Sequence, residues 1–438
     1  MSNGGWLNSV WEPGVGVKKG LRDLPKSTTF STVGIGLAAA LFGCSGPALI
    51  IYESGKQAGW TDAQIASWIF SVYFFGALVG IVLSLRWKKP MSGAWTIPGA
   101  AMLGATLGYF SPNEAAGAYF VAGLLVLLIG LTGQLSKLIR LIPIPIMMGM
   151  ITGVLLRFGI GITKSLVASP TVVIIALSAV AIVEALRRRG QLKWLPGPLA
   201  GIIVGFIAAY FTGNLNLSGV TISFAQPIVY SPEFSASAIL SISIPLAFMV
   251  LFAENIQAIG VLIAQGYDKI PENTKVPING IALLSGLGGI ITSFFGGHNA
   301  NIAGPMTAMC SSDEAHEDPE KRYGASVWNG IFFGSFGLIA PAAVSIINAM
   351  PRALIGFIAG ITMIGVLLRG FYSSFGAEAK GKFQWGAFFA FVTGASGITL
   401  FKIGAPFWAL VIGCVISLIV EIDDWKSLRQ TYRTDAES

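Results

Sequence analysis

The chain has 438 residues, of which 54% are hydrophobic and only 11% are charged. Ordinary globular chains carry roughly a quarter charged residues, so this composition excludes a soluble protein. Apolar runs of about 20 residues, each long enough to cross the hydrocarbon of a bilayer, recur between Phe30 and Val420 and predict an all-α polytopic membrane protein. The net charge of +7 does not indicate a nucleic-acid partner, because the basic residues fall in loops, where they orient the chain.

The first 27 residues are polar and contain no apolar core of a cleavable signal peptide. Trp6, Leu7, Val10 and Trp11 favour a segment that lies on the membrane surface, with a disordered tail as the alternative. Three cysteines, Cys44, Cys310 and Cys414, lie in or beside apolar segments without CxxC spacing. They predict packing residues rather than a disulfide framework or a metal site, and no cofactor is expected.

We predict about fourteen spans, numbered in chain order. They cover residues 29–51, 62–85, 93–109, 115–135, 143–162, 170–187, 195–212, 236–264, 276–296, 298–311, 323–348, 352–370, 383–401 and 404–421. The third and tenth are too short and too interrupted by Pro and Gly to be complete helices.

Basic residues follow the even-numbered spans, weakly only after the eighth, at Lys269 and Lys275. They include Arg86, Lys88, Lys89, Lys137, Arg140, Arg187, Arg188, Arg189, Lys193, Lys321, Arg322, Lys380 and Lys382. Because Lys and Arg concentrate in cytoplasmic loops, we expect both termini in the cytoplasm.

The two halves of the chain share short sequence matches. "GVLLR" occurs at Gly153–Arg157 and again at Gly365–Arg369, an offset of 212 residues. Two looser matches, at offsets of 210 and 205 residues, pair "LFGCSGPALI" with "LFAENIQAIG" and "TIPGAAM" with "NIAGPMTAM". Each match pairs a span with the seventh span after it, so the second copy is inverted in the membrane. Inverted repeats with broken helices at corresponding positions are typical of secondary transporters.

The broken third and tenth spans share one plan. A short strand from Ala94 to Ile97 is expected to lead into a half-helix that starts at Pro98, because Pro is favoured in the first helical turn. An extended segment from His298 to Ile302 precedes a second half-helix at Gly304-Pro305. The two helix N-termini would meet near the membrane centre and form a site for an anion. The alternative is a pair of Pro-kinked helices buried by packing.

Glu254 stands in the middle of the apolar stretch "SIPLAFMVLFAENIQAIGVLIAQG", where no other of the 21 acidic residues has a similar position. A charge there costs about 2.5–3.5 kcal/mol on insertion scales, so such residues usually mark a pathway or a proton relay. Because burial disfavours the charged form, we expect Glu254 to carry a proton. The alternative is a structural carboxylate paired with a backbone N–H.

His298 is a second candidate for proton coupling and for donating to a carboxylate, with a satisfied core histidine as the alternative. The other candidate substrate-binding residues are Gly46, Pro47, Trp95, Thr96, Ile97, Pro98, Asn255, Gln257, Asn301, Ala303 and Thr307. Trp95 offers an aromatic face, and the amides and Thr307 either orient a substrate or only tie down irregular backbone. Gly46-Pro47 is expected to loosen the first span at the same depth. Arg157 and Arg369 are interpreted as span ends that snorkel to headgroups.

These stretches carry a family resemblance. "SGPALIIYESGKQAGWTDAQIASWIFSVYFFGAL", "AWTIPGAAML", "FAENIQAIGVLIAQGY" and "GGHNANIAGPMTAMCSSDEAHEDPEKRY" resemble signature stretches of the benzoate:proton symporter family (BenE), over nearly the whole chain. The resemblance implies a fold similar to that of the uracil permease, with seven plus seven inverted spans. It also implies import of an aromatic carboxylate with a proton, across a bacterial cytoplasmic (inner) membrane.

The same resemblance implies a core domain that holds substrate and a gate domain. The expected segments are an N-terminal cytoplasmic segment 1–28, core 29–141, gate 142–213, an extracellular linker 214–235, core 236–350, gate 351–421 and a cytoplasmic tail 422–438. Two departures stand out. Ala300 occupies the position where nucleobase-transporting relatives commonly carry a second glutamate, and Gly304-Pro305 replaces a more Ala-rich version.

Several function classes remain as alternatives. A nucleobase:proton symporter of the same fold is the runner-up, and an anion channel is more remote because the polar residues cluster at one depth. No Ser/His/Asp set, metal cluster or Walker motif supports an enzyme or a primary pump. The expected partners are a small aromatic carboxylate, protons and the lipid bilayer, and the sequence leaves a homodimer open.

Overall fold

The structure is a computed structural model that describes residues 10–437, apart from residues 134, 136–142, 193–194, 272–273 and 402. The first half of the chain forms nine helices and one short strand within these residues. They are α1 (Val17–Asp23), α2 (Phe30–Cys44), α3 (Gly46–Gln57), α4 (Asp62–Trp87), β1 (Gly93–Ala94), α5 (Ile97–Thr106), α6 (Pro112–Leu131), α7 (Ile144–Ala168), α8 (Pro170–Arg188) and α9 (Gly197–Phe211).

The second half repeats this order of long, broken and half-length helices. Its elements are α10 (Ala236–Ala264), α11 (Ile278–Ser293), β2 (Asn301–Ile302), α12 (Gly304–Ser311), α13 (Tyr323–Leu338), α14 (Ala340–Ala349), α15 (Arg352–Phe375), α16 (Gln384–Ser396), β3 (Thr399–Leu400), β4 (Ile403–Gly404), α17 (Ala405–Val420) and α18 (Ile422–Glu437). The predicted all-α class with half-helices in the third and tenth spans is confirmed.

Each predicted span coincides with helical structure, but the count of fourteen crossings stays a prediction. Among the described residues, seven helices are long and apolar enough to cross a membrane, or nine if each strongly bent pair is one span. Lys137, Arg140 and Lys193, which contributed to the predicted orientation, lie outside the described residues.

The two broken spans cross each other at their strands. β1 and β2 pair antiparallel, with Gly93 opposite Ile302 and Ala94 opposite Asn301. The first strand is two residues long rather than the four predicted, because Thr96 already acts as the helix N-cap and accepts from the Gly99 N–H at 3.3 Å. Helix α5 therefore begins at Ile97, one residue before the predicted start.

Contacts between helices divide the membrane region into two groups. The first helix group contains α2–α6 and α10–α14, and the second helix group contains α7–α9 and α15–α17. Between the groups, α3 packs on α15 and α5 packs on α7. The half-helix α12 packs instead on α2, α10 and α13 of its own group. The two half-helices therefore differ in how closely they approach the second group.

The N-terminal segment is docked onto the first helix group rather than forming a disordered tail, as far as it is described from Val10 onward, and its place on the membrane surface stays a prediction. Trp11 packs against Trp87 with ring centroids 5.2 Å apart, and the Arg86 guanidinium lies over the Trp11 ring. The Glu12 carboxylate accepts the first N–H groups of α11, from Asn279 at 2.7 Å and Gly280 at 2.9 Å. Trp6 and Leu7 lie outside the described residues.

The interpretation of Arg157 as a span end is wrong. Helix α7 continues to Ala168, so Arg157 stands near its middle, and its guanidinium donates to the Ala101 carbonyl of α5. A snorkelling side chain would extend toward headgroups, whereas this one crosses from the second helix group to the first. Arg369 is exposed and lies six residues before the end of α15, so it does not end its helix either, and its snorkelling to headgroups stays a prediction.

Candidate functional site

The candidate site lies where the two half-helices begin, beside the middle of α10. Helix α10 contains two π-helical stretches, and the second, Met249–Asn255, ends at the "AEN" sequence. A π-helical turn inserts an extra residue into a helix and is frequent at functional sites. Here it brings the buried Glu254 to the start of α5.

Glu254 faces the first turn of α5. Its carboxyl group lies near two polar groups there, the backbone N–H of Ile97 and the side chain of Thr96. Thr96 thus serves as the cap of α5, through Gly99, and as a neighbour of Glu254. A side chain of the protein therefore engages the Gly99 N–H at the start of α5, and the Glu254 carboxyl group lies beside the Ile97 N–H.

The start of α12 differs from that of α5. Its N-cap residue, Ala303, has no side chain that can cap the helix, and Pro305 follows at the second helical position. The first N–H groups of a helix have no partner within it, so Gly304 and Met306 present theirs to the site. Gln257 lies against Gly304, where an added Cβ would stand 2.5 Å from the Gln257 Cγ. Glu254 and Gln257, three residues apart on α10, thus reach the two different half-helices.

Three polar residues, the predicted Asn301 and Thr307 and their neighbour Asn299, hold the crossing strands. Asn299 accepts from the Thr96 N–H at 3.1 Å and donates to the Asn301 side chain at 2.9 Å. Asn301 in turn donates to the Ile302 carbonyl at 3.1 Å, and the Thr307 hydroxyl accepts from the Ser92 N–H at 3.2 Å. These contacts match the alternative in which polar side chains tie down irregular backbone.

Asn255 points away from the half-helices. Its amide pairs with the Ser285 hydroxyl of α11, at 3.1 Å from the amide nitrogen and 3.3 Å from the amide oxygen. Neighbouring residues of α10 therefore have different tasks, since Asn255 fastens α10 to α11 while Glu254 and Gln257 face the site.

His298 is completely buried, and both of its ring nitrogens are paired. Nδ1 accepts from the Trp68 indole N–H at 2.8 Å, and Nε2 lies 3.0 Å from the Thr96 carbonyl, to which it donates. The indole donor keeps Nδ1 free of a proton, so this arrangement requires a neutral ring. The geometry matches the satisfied core histidine that the sequence left as the alternative.

Aromatic side chains pack together beside the start of α5. Trp95 is only 2% exposed and meets Tyr73 and His298 edge to face, with centroids 5.6 and 5.7 Å apart. The Tyr73 hydroxyl donates to the Gly43 carbonyl at 2.8 Å, at the end of α2. Sequence reasoning missed Tyr73 and Trp68, because a large aromatic residue inside an apolar span carries no signal of its partner.

The break in the first span faces the second helix group. Helix α2 ends at Cys44 and α3 begins at Gly46, with the buried Pro47 in its first turn. Gly46 lies against Thr362 of α15, a residue that sequence analysis did not single out. Gly46 therefore lies at the contact between the two groups, and its position at the same depth as the other helix breaks stays a prediction.

These features define a class of fold: a membrane protein of the inverted-repeat type in which two half-helices cross. A family model described as benzoate membrane transport protein, BenE, matches residues 26–419. The chain therefore belongs to the BenE family of membrane transport proteins.

Two curated relatives align along nearly their whole length. The chain is 27% identical over 400 residues to the benzoate membrane transport protein of Acinetobacter baylyi, covering 91% of this chain and 98% of that one. It is 30% identical over 387 residues to the inner membrane protein YdcO of Escherichia coli, covering 88% and 95% of the two chains.

Solved structures show the same fold at lower identity. The transmembrane domain of a cyanobacterium bicarbonate transporter, BicA, aligns with a TM-score of 0.54 at 15% identity, over 87% of this chain and 97% of that one. The murine Solute Carrier 26 family member A9 anion transporter aligns with a TM-score of 0.57 at 14% identity, over 92% and 70%.

Proposed function

We propose that this protein imports a small aromatic carboxylate, benzoate or a close analogue, together with a proton. Two features together carry the proposal. The buried Glu254 carboxyl group lies against the start of the half-helix α5, and the start of the second half-helix, α12, has no side-chain cap. Membership of the BenE family, and the name of the Acinetobacter baylyi relative, support benzoate as the reference ligand.

The substrate carboxylate binds at the start of α12. The N–H groups of Gly304 and Met306, the helix dipole and the Gln257 amide all favour an anion there. The start of α5 is less suitable, since Thr96 already caps it and the Glu254 carboxyl group lies beside it. This refines the sequence-based expectation of a ligand held equally by both half-helices, and it leaves the aromatic side chains around Trp95 for the aromatic ring.

Proton coupling follows from two carboxyl groups that share one buried site. An anion at α12 lies close to Glu254, and two neighbouring negative charges disfavour each other. Protonation of Glu254 removes this repulsion, so substrate and proton bind together and leave together. His298 is not retained as a proton carrier, because both of its nitrogens are engaged.

Transport occurs by movement of the first helix group, as the core domain, against the second group, as the gate domain. The expected segments 29–141 and 236–350 supply the core, and 142–213 and 351–421 supply the gate. The protein resides in a bacterial inner membrane, which the name of the Escherichia coli relative supports. Both termini lie in the cytoplasm, because Lys and Arg concentrate in the loops on that side.

A binding experiment on purified protein separates this function from nucleobase transport. Isothermal titration with benzoate, benzamide, uracil and adenine compares an anion with neutral molecules of similar size. We expect benzoate to bind at least about tenfold more tightly than benzamide, since a partly buried helix end contributes up to ~2 kcal/mol to an anion. Equal affinity for benzamide or for either nucleobase would contradict the anion site.

A further inference from the structure

The two faces of the protein differ in how the helix groups meet. On one face a crevice of about 570 Å³ separates α2 and the end of α12 from Arg187 of the second helix group. Its lining includes Ser31, Gly34, Met309 and Ser312. In the proposed orientation this face is cytoplasmic. On the opposite face α3 and the half-helix α5 pack against α15 and α7, respectively, so that this face is closed.

Arg157 stands within the closed contact. From the middle of α7 it donates to the Ala101 carbonyl of α5, and its Nε is buried without a partner. An added Cβ on Gly104 would lie about 3 Å from Arg157, from the Gln57 amide oxygen and from the Ser54 hydroxyl, so these groups converge there. Ser54 is completely buried, and its hydroxyl also lacks a partner. No ion pair with a carboxylate is found for Arg157 among the described residues.

A buried cation held by one carbonyl is a costly way to join two helices, since an apolar pair packs without a desolvation penalty. The same guanidinium becomes hydrated if α7 and α5 separate. The arrangement therefore suits a contact that forms and breaks, rather than one that only stabilises the fold.

The inverted repeat supplies a counterpart on the open face. Arg369 is the last residue of the second copy of "GVLLR", on α15, as Arg157 is the last residue of the first copy, on α7. Ala101 stands three residues after Pro98 in α5, and Ala308 stands three residues after Pro305 in α12, where both prolines occupy the second helical position. Arg369 is exposed in this structure, on the half of α15 that corresponds to the open face.

We propose that Arg157 and Arg369 are alternating latches of the transport cycle. Arg157 holds the outer face closed by donating to Ala101, and Arg369 holds the inner face closed in the opposite state by donating to the Ala308 carbonyl. The proposal rests on the proposed movement of the two helix groups, but on neither the identity of the substrate nor its coupling to protons.

Cysteine labelling tests the latches without any substrate. Ser54→Cys reports opening of the outer face, and Ser312→Cys reports opening of the inner face. A membrane-impermeant maleimide is applied separately to each side of oriented vesicles. Label on the parent protein, which keeps Cys44, Cys310 and Cys414, is subtracted. Each reporter is combined with Arg157→Gln, Arg369→Gln or the conservative Arg157→Lys.

We expect Arg157→Gln to raise outer labelling at position 54 by about tenfold, the ratio that corresponds to one charged hydrogen bond, and to lower inner labelling at position 312. Arg369→Gln should act in the opposite direction, and Arg157→Lys should stay near the parent. Arg157→Met replaces Arg157→Gln if the latter does not yield folded protein. Shifts in the same direction for both arginines, or unchanged labelling in folded variants, overturn the proposal. Because no ligand is added, a wrong substrate assignment leaves this result intact.

Discussion

Gly46 of α3 and Thr362 of α15 touch across the boundary between the two helix groups. A Cβ on Gly46 would stand 1.7 Å from the Thr362 hydroxyl oxygen and 2.8 Å from its Cβ. The hydroxyl is held in place, because it donates to the Ile358 carbonyl at 2.9 Å. This approach is open only to glycine, and it joins the break in the first span to the opposing helix.

Gly46→Ala should therefore disfavour the conformation described here. We expect benzoate uptake to fall by about tenfold or more, since overpacking of this kind typically costs 1–3 kcal/mol. Thr362→Gly removes the opposing side chain, so the double variant should recover a large part of the loss. Uptake assays on the two single variants and the double variant form a double-mutant cycle. Additive losses would show that the contact does not matter for transport.

Glu254→Gln should separate binding from proton coupling. Gln keeps the size and hydrogen-bonding reach of Glu but cannot titrate, so we expect benzoate exchange to persist while accumulation driven by a pH gradient is lost. His298→Gln is the control, which should lower thermal stability yet keep the remaining uptake dependent on the gradient. Glu254 would not be the proton carrier if Glu254→Gln kept accumulation driven by the pH gradient while His298→Gln lost it.

Gln257 should matter for the anion, and its near neighbour Asn255 should not. Gln257→Glu places a second negative charge at the start of α12, so we expect benzoate affinity to fall by at least about tenfold through like-charge repulsion. Asn255→Ala loses the Ser285 contact and should lower the melting temperature with little change in Kd. Titration calorimetry compares the two. Equal losses of benzoate affinity in Gln257→Glu and Asn255→Ala would contradict binding of the substrate carboxylate at the start of α12.

Glu12→Ala should destabilise the protein by about 0.5–2 kcal/mol, the range for loss of a helix cap. Burial raises the pKa of the Glu12 carboxyl above its ordinary value, despite the backbone N–H groups of Asn279 and Gly280, which lower it. The native state then holds more protons than the unfolded state in the window between the two pKa values. Wild-type stability from this group accordingly falls as the pH rises through that window.

The loss of stability that Glu12→Ala causes relative to wild type should thus be larger at pH 5 than at pH 7. Melting temperatures in detergent at both values measure it, and Lys18→Ala, an exposed position of α1, serves as the control. A deficit that shrinks toward pH 5 would contradict this assignment.

The broken spans were predictable from sequence because their signals are local. Pro98 and Pro305 mark the start of each half-helix within a residue, and the residues before them have no helical pattern. Glu254 was recognisable for the same reason, since a carboxylate in an apolar span is conspicuous without any knowledge of its neighbours.

Partners across the fold were not predictable. The contact of Glu254 with Ile97 depends on where two segments distant in sequence cross, and no local pattern shows that the Asn255 amide meets Ser285. Arg157 was misplaced because an arginine after an apolar run resembles a span end. Its carbonyl partner lies 56 residues away in sequence, and no local pattern indicates it.

Coupled uptake in proteoliposomes tests the central claim most directly. Labelled benzoate and internal pH are followed together after an inward proton gradient is imposed in sodium-free buffer, and protein-free liposomes define the passive entry of neutral benzoic acid. The account predicts protein-dependent accumulation of benzoate with entry of protons, both abolished by Glu254→Gln. Uptake that requires sodium and ignores the pH gradient would contradict it.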